Sequence, residues 1–124
     1  MESEISNFRS QVRYVVLHHT GIDQPHFDVM VETAPGGALS TWRAPSWPLK
    51  TGDILQELPP HRREYLDYEG PLSNNRGAVR RVAGGTWTVR FADDLIEITT
   101  ESPEQITLVK DGPSHWYCTV AKPR

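Results

Sequence analysis

Turn-forming residues interrupt this chain so often that no room is left for a long helix. Pro35-Gly36-Gly37, Thr51-Gly52-Asp53, Ser73-Asn74-Asn75, Gly84-Gly85 and Asp111-Gly112-Pro113 all favour tight turns. The runs between them are short, and most are rich in β-branched or aromatic residues. They cover 13–18, 26–32, 38–43, 54–58, 78–82, 86–91, 95–99, 105–110 and 116–120, and they read as strands. Only 59–66 has the make-up of a helical turn. Short strands at near-regular spacing predict an all-β fold. The expectation is a compact single-domain β-barrel of short antiparallel strands with at most short helical turns.

A chain of 124 residues fits one domain with a sizeable core, and 37% hydrophobic content with four Trp argues against disorder. The domain is expected over 13–124, after a flexible N-terminus at 1–12. No apolar run approaches the ~20 residues of a membrane span. The polar start lacks an apolar signal core, and the lone Cys118 excludes an internal disulfide; both predict a cytoplasmic protein. Cys118 lies in a strand-like run and reads as a buried core thiol. Trp42, Trp87 and Trp116 read as core, whereas Trp47, near prolines, reads as exposed.

The net charge of −3 disfavours non-specific binding to duplex DNA. Between 61 and 91, however, six arginines face three acids, so that segment is +3 and the remainder −6. A locally positive face suits a small anionic target. Solvated strand faces would carry the same charges.

The chemistry-bearing residues concentrate between 18 and 32. Alternation along a strand would turn Phe27, Val29 and Val31 towards a core, and His26, Asp28 and Glu32 the other way. His26-x-Asp28 thus aims an imidazole and a carboxylate at one point. A His from the preceding strand would complete a two-His, one-carboxylate set with open positions. His19 is preferred to His18, because adjacent strand residues face opposite ways. Glu32 could orient a ligand His or make a salt bridge. His61 and Tyr65, four apart, fall on one side of an extended or helical segment. There they could hold an anion or move a proton. Arg76 suits phosphate, because its fork binds two oxygens. His115 has no assigned role.

Five blocks in order resemble the 3′-phosphoesterase domain of bacterial DNA ligase D. They are Tyr14-Val15-Val16-Leu17-His18-His19; His26-Phe27-Asp28-Val29-Met30-Val31-Glu32; Leu39-Ser40-Thr41-Trp42-Arg43-Ala44-Pro45 with Trp47-Pro48; His61-Arg62-Arg63-Glu64-Tyr65-Leu66-Asp67-Tyr68-Glu69-Gly70; and Arg76-Gly77-Ala78-Val79, running on to Gly85-Thr86-Trp87. They span about residues 13 to 91. The resemblance implies a compact β-barrel holding one divalent metal, typically Mn²⁺, with Zn²⁺ or Co²⁺ compatible with the same donors. It implies removal of a 3′-phosphate or 3′-ribonucleoside from a DNA end in repair. The family's metal ligands fall on His19, His26 and Asp28, and its phosphate-proximal His and Tyr on His61 and Tyr65. A nucleic-acid 3′ end is the implied substrate, DNA-repair proteins are the implied partners, and a monomer is expected.

The chain departs from the family where the motif continues His-x-Asp-x-Arg. The family's Arg contacts the phosphate; Met30 stands there in this chain, and Pro59 replaces a Glu before the second His. The family's Lys after the Trp block has Lys50 as its nearest counterpart. Arg62, Arg63 and Arg76 are the candidates to replace the clamp. Two alternatives follow: a catalytically impaired module that binds nucleic-acid ends or a partner, and a non-haem iron oxygenase using His61 or His115 as distal ligand.

Overall fold

The computed structural model describes residues 9–122. Nine strands follow in chain order: β1 Ser10–Thr20, β2 His26–Glu32, β3 Leu39–Ala44, β4 Ile54–His61, β5 Gly70–Pro71, β6 Ala78–Phe91, β7 Leu95–Thr99, β8 Gln105–Lys110 and β9 His115–Ala121. The one helical element among the described residues is a 3-10 turn, Arg63–Leu66, within the segment where a turn was expected. All pairings are antiparallel. The sheet order is β1-β2-β3-β4-β9-β8-β7-β6-β5, and β1 also pairs with β6, which closes the sheet into a ring. The chain is therefore a single all-β domain of barrel type. None of its described helical residues forms a helix long and apolar enough to cross a membrane.

Two expectations need correction. Strand β1 begins at Ser10, ahead of the boundary drawn at residue 13; residues 1–8 of the expected flexible tail lie outside the described residues. Gly84-Gly85 is not a turn between two strands, because β6 runs unbroken for 14 residues. Both glycines pair across to β1, at Val15 and Tyr14, beside a bulge between Val16 and Leu17. A Cβ on Gly84 would meet the Arg81 guanidinium at 2.6 Å, and Gly85 has φ +147°. The pair thus lets a long strand bend as the ring closes.

The interior holds the larger of two apolar clusters. Val16, Val29, Trp42, Trp87, Ile98, Leu108 and Trp116 belong to it. Trp42, Trp87 and Trp116 are 3%, 2% and 4% exposed, as core residues should be. Trp47 is half-buried against the same cluster, not exposed. Cys118 is fully buried, and burial, aided by the nearby negative charge of Asp53, pushes its thiol up to about 11. It is an inert core thiol.

The second cluster lies on the outer face of the ring. Val15 and Leu17 of β1, Met30 of β2, Leu39 of β3 and Val79 of β6 meet Leu66 there, with Tyr65 and Leu72 against them. The segment from the 3-10 turn to β5 and the following turn therefore covers the outside of β1 and β2. This explains why β2 is buried on both faces where simple alternation predicted one polar face. His26, Asp28 and Glu32 do face away from the interior, but into this covered layer.

Candidate metal centre

Strands β1 and β2 are joined by a short turn and pair in register, with His19 opposite His26 and Leu17 opposite Asp28. Directly opposed residues share a face, so His19 and His26 are cross-strand neighbours on the outer side, one step from Asp28. His18 is turned the other way and stacks on Phe27, with ring centroids 4.3 Å apart. The alternation argument for His19 over His18 thus matches the register.

The three side chains converge. One ligand atom from each of His19, His26 and Asp28 lies within 4.8 Å of the other two. His26 Nε2 is 3.2 Å from Asp28 Oδ1, and His19 Nδ1 is 3.7 Å from Asp28 Oδ2. The side chains of His26 and Asp28 are 7% and 8% exposed.

Backbone carbonyls set the orientation of both rings. His19 Nε2–H donates to the Arg76 carbonyl at 2.7 Å, and His26 Nδ1–H donates to the Gln24 carbonyl at 2.9 Å. A carbonyl can only accept, so each contacting nitrogen carries a proton. In the neutral rings, the remaining nitrogens, His19 Nδ1 and His26 Nε2, present lone pairs towards Asp28. This is the arrangement that fixes the tautomer of a metal-binding His. Asp28 Oδ1 is buried with no hydrogen-bond partner. Two lone pairs and a carboxylate aimed at one point repel one another unless a proton or a metal ion lies between them. The donor set therefore fits a divalent ion with nitrogen and oxygen ligands.

The rest of the pocket brings together most of the residues singled out from the sequence. A cavity of about 120 Å³ is lined by the triad with His61, Tyr65 and Arg76, floored by Met30, Leu58 and Val79. His61 Nδ1–H donates to the Pro59 carbonyl at 2.8 Å, which leaves Nε2 as an acceptor. Its ring meets Tyr65 edge-on at 5.7 Å. Arg76 folds back on its own turn, donating to the Ser73 carbonyl and Ser73 Oγ, each at 2.9 Å.

Arg62 is not brought into this pocket. Its side chain is 74% exposed, lies 3.5 Å from Glu64 and lines an adjoining groove with Tyr65, Tyr68 and Arg76. Arg62 stays extended ahead of the 3-10 turn, and its side chain goes to that groove. Arg63 is also excluded as a clamp. It binds Glu32 and donates to the Gly37 carbonyl at 2.7 Å.

Glu32 serves this anchor and does not orient a ligand histidine. It is 3% exposed and accepts from Arg63, from the Arg13 N–H at 2.6 Å and from the Gly36 N–H at 3.2 Å. Burial pushes its carboxyl up, but these hydrogen bonds and the Arg63 charge outweigh burial and hold it below the ordinary carboxylate range. A lowered folded value stabilises the protein above the unfolded value and is lost as pH falls through the folded one. Stability in urea is accordingly expected to drop on the acid side, from about pH 5 downwards. Arg63→Met is expected to cost about 1–2 kcal/mol at neutral pH, a moderate figure because the arginine is partly solvated. It should also shrink the acid-side loss. An unaltered acid limb in that variant would show that another carboxylate governs it.

Sequence reasoning did not single out Arg43, which lines the triad cavity from β3. It stands opposite Asp28 in the β2–β3 register. The available signal was alternation: Trp42 and Ala44 point into the core, so Arg43 points out with Asp28.

No family model and no curated protein matches the chain.

Proposed function

We propose that this domain is a metal-dependent phosphoesterase that hydrolyses 3′-phosphate or 3′-ribonucleotide ends of DNA. The observation that carries the reading is the convergence of His19 Nδ1, His26 Nε2 and the unpartnered Asp28 Oδ1 in a pocket that also contains His61, Tyr65, Arg43 and Arg76. The sequence resemblance to ligase D phosphoesterase domains gives the substrate class, and it also favours Mn²⁺ over Zn²⁺ or Co²⁺.

His19, His26 and Asp28 would hold the ion. When bound, a divalent ion supplies positive charge at the phosphate and makes water a stronger acid. The protein's own groups supply the rest. Arginine guanidinium groups at the rim hold the phosphate oxygens in place. His61, with Nδ1 committed to a backbone carbonyl, keeps Nε2 available to exchange a proton with water or the leaving oxygen. Tyr65 packs against that ring and fixes its orientation. Met30, Leu58 and Val79 exclude water beneath the reacting group.

The test is a labelled primer–template ending in a 3′-phosphate or a single 3′-ribonucleotide, incubated with Mn²⁺. Wild-type protein is expected to trim both ends, and His26→Ala to be slower by roughly 100-fold or more. Protein that binds Mn²⁺ yet trims neither end would overturn the reading, and would favour a module that holds ends without cutting them.

A further inference from the structure

Beyond the triad, the outer face of the sheet continues as a larger open groove. Five residues stand opposite one another on successive strands: Leu17, Asp28, Arg43, Gln56 and His115, on β1, β2, β3, β4 and β9. Directly paired residues share a face, so this is one row across the sheet. From Asp28 to His115 it crosses three strand spacings, roughly 14 Å. A groove of about 450 Å³ lies along its far half, walled by Gln24, Pro25, Pro45 and Ile54. That volume is in the range of ligand clefts, about 300–1,000 Å³. His26 and Arg43 line both this groove and the triad cavity, so the two adjoin across these side chains.

Arg43 differs from the other arginines weighed as clamps. It is exposed, it lines both cavities, and among the described residues its side chain has neither an ion pair nor a hydrogen bond. Arg62, Arg63 and Arg76 are held by Glu64, Glu32 and Ser73. On β2, Met30 is 1% exposed and packed in the outer cluster, so that strand offers no cation. The next strand does, directly opposite Asp28.

We infer that Arg43 is the phosphate clamp of this site, and that the groove beyond it seats the nucleotide next to the terminal one of a single-stranded 3′ end. The inference rests on the phosphoesterase reading. An unpaired guanidinium beside a cation-shaped donor set grips phosphate oxygens by its fork. Gln56 and His115 offer hydrogen bonds for a sugar or base edge. Pro25, Pro45 and Ile54, the last 45% exposed, offer an apolar platform for a base. Arg43, the one arginine lining this groove, and a net charge of −3 match a short single strand, since duplex binding needs many neutralised phosphates.

The experiment is fluorescence anisotropy of a 5′-labelled oligothymidylate ending in a 3′-phosphate, with EDTA present to prevent turnover. Arg43→Ala is expected to weaken binding about tenfold and to reduce the log–log salt slope by about 0.7, the value for one phosphate contact on a single strand. Arg43→Lys should keep the slope but not the full affinity. Gln56→Ala and His115→Ala should each weaken binding by roughly two- to tenfold at unchanged slope. Both effects should vanish when thymidine 3′-monophosphate is the competitor, whereas that of Arg43→Ala should persist. Wild-type affinity and slope in Arg43→Ala would overturn the inference, as would an oligonucleotide that the wild type does not hold. Adding Mn²⁺ in excess of the EDTA to the wild-type and Arg43→Ala complexes then separates the two claims. Phosphate release that is indifferent to Arg43 removes the clamp alone. Arg43-dependent binding without release removes the reaction alone.

Discussion

Asp28→Asn is expected to abolish the Mn²⁺-induced rise in melting temperature while leaving the metal-free protein at least as stable as wild type. The second half of that result is the unusual one, because substitutions at buried positions mostly destabilise. It follows from the surroundings of the carboxylate. Oδ1 is buried and unpartnered, and the nearest ring nitrogens present lone pairs to it. With both rings neutral and no metal bound, this is a buried charge among acceptors, which is costly. An amide carries no charge, and its NH₂ can donate to His26 Nε2, 3.2 Å from the present Oδ1. The metal-free variant should gain about 1 kcal/mol. In the wild type, a ligand at 100 times its Kd adds about 2.7 kcal/mol, worth roughly 10 °C for a domain of this size. The asparagine variant should show none of that rise, and under the proposed phosphoesterase function its rate should fall by roughly 100-fold or more. Differential scanning fluorimetry with and without Mn²⁺ measures both parts. A variant that still responds to the metal, or that loses stability without it, would contradict the assignment of Asp28.

The same geometry explains which parts of the site could be read from the sequence. His19, His26 and Asp28 sit on one hairpin, where alternation and a short connection fix the register. The choice of His19 over His18 needed only that rule. His61 and Tyr65 were legible from their spacing, and both line the cavity. Arg62 was not, because it stays extended ahead of the 3-10 turn and its side chain goes to the adjoining groove, a direction that spacing does not give. Glu32 was placed on the right face, but its partner Arg63 lies 31 residues away, and nothing local announces that contact. Arg43 could be turned outwards by alternation, yet only the β2–β3 register sets it against Asp28. His115 joins the same row because β9 pairs with β4, a pairing between strands distant in sequence.

For the fold, the strand cores at 26–32, 95–99 and 105–110 coincide with the observed elements. Each is a compact run of β-formers closed by turn residues. The long strands were underestimated. Ser10, Gln11 and Val12 are extended because they pair with Val89, Thr88 and Trp87 of β6, not because of local propensity. Ring closure between β1 and β6 also accounts for Gly84-Gly85. A glycine pair signals a turn by default, but a strand that bends around a barrel requires the same backbone freedom.

Gly77→Ala is expected to cost more stability than any other glycine substitution of comparable backbone conformation, and to weaken metal binding from outside the ligand set. Gly77 follows Asn74 and Asn75, both left-handed at φ 60° and 57°, and has φ +81° itself. Its Cα approaches the end of β1 so closely that a Cβ would lie 2.1 Å from the Thr20 carbonyl oxygen. No rotamer change relieves that contact, because both partners are backbone; the turn must move away from β1. The preceding residue supplies the carbonyl that fixes His19, so the same movement pulls Arg76 O off Nε2. Disturbing such an outer contact typically costs 10–100-fold in metal affinity. Gly36 is the matched control. It also has φ +81°, but a Cβ there meets nothing within 4 Å. Gly36→Ala should therefore show the left-handed penalty alone, about 1 kcal/mol, with unchanged metal binding. Gly77→Ala should lose roughly 3 kcal/mol, and the excess over Gly36→Ala measures the close approach. Urea unfolding gives the stability difference and calorimetric titration with Mn²⁺ gives the affinity. Equal losses in the two variants would mean that the turn yields freely, and that His19 does not depend on Arg76 for its orientation.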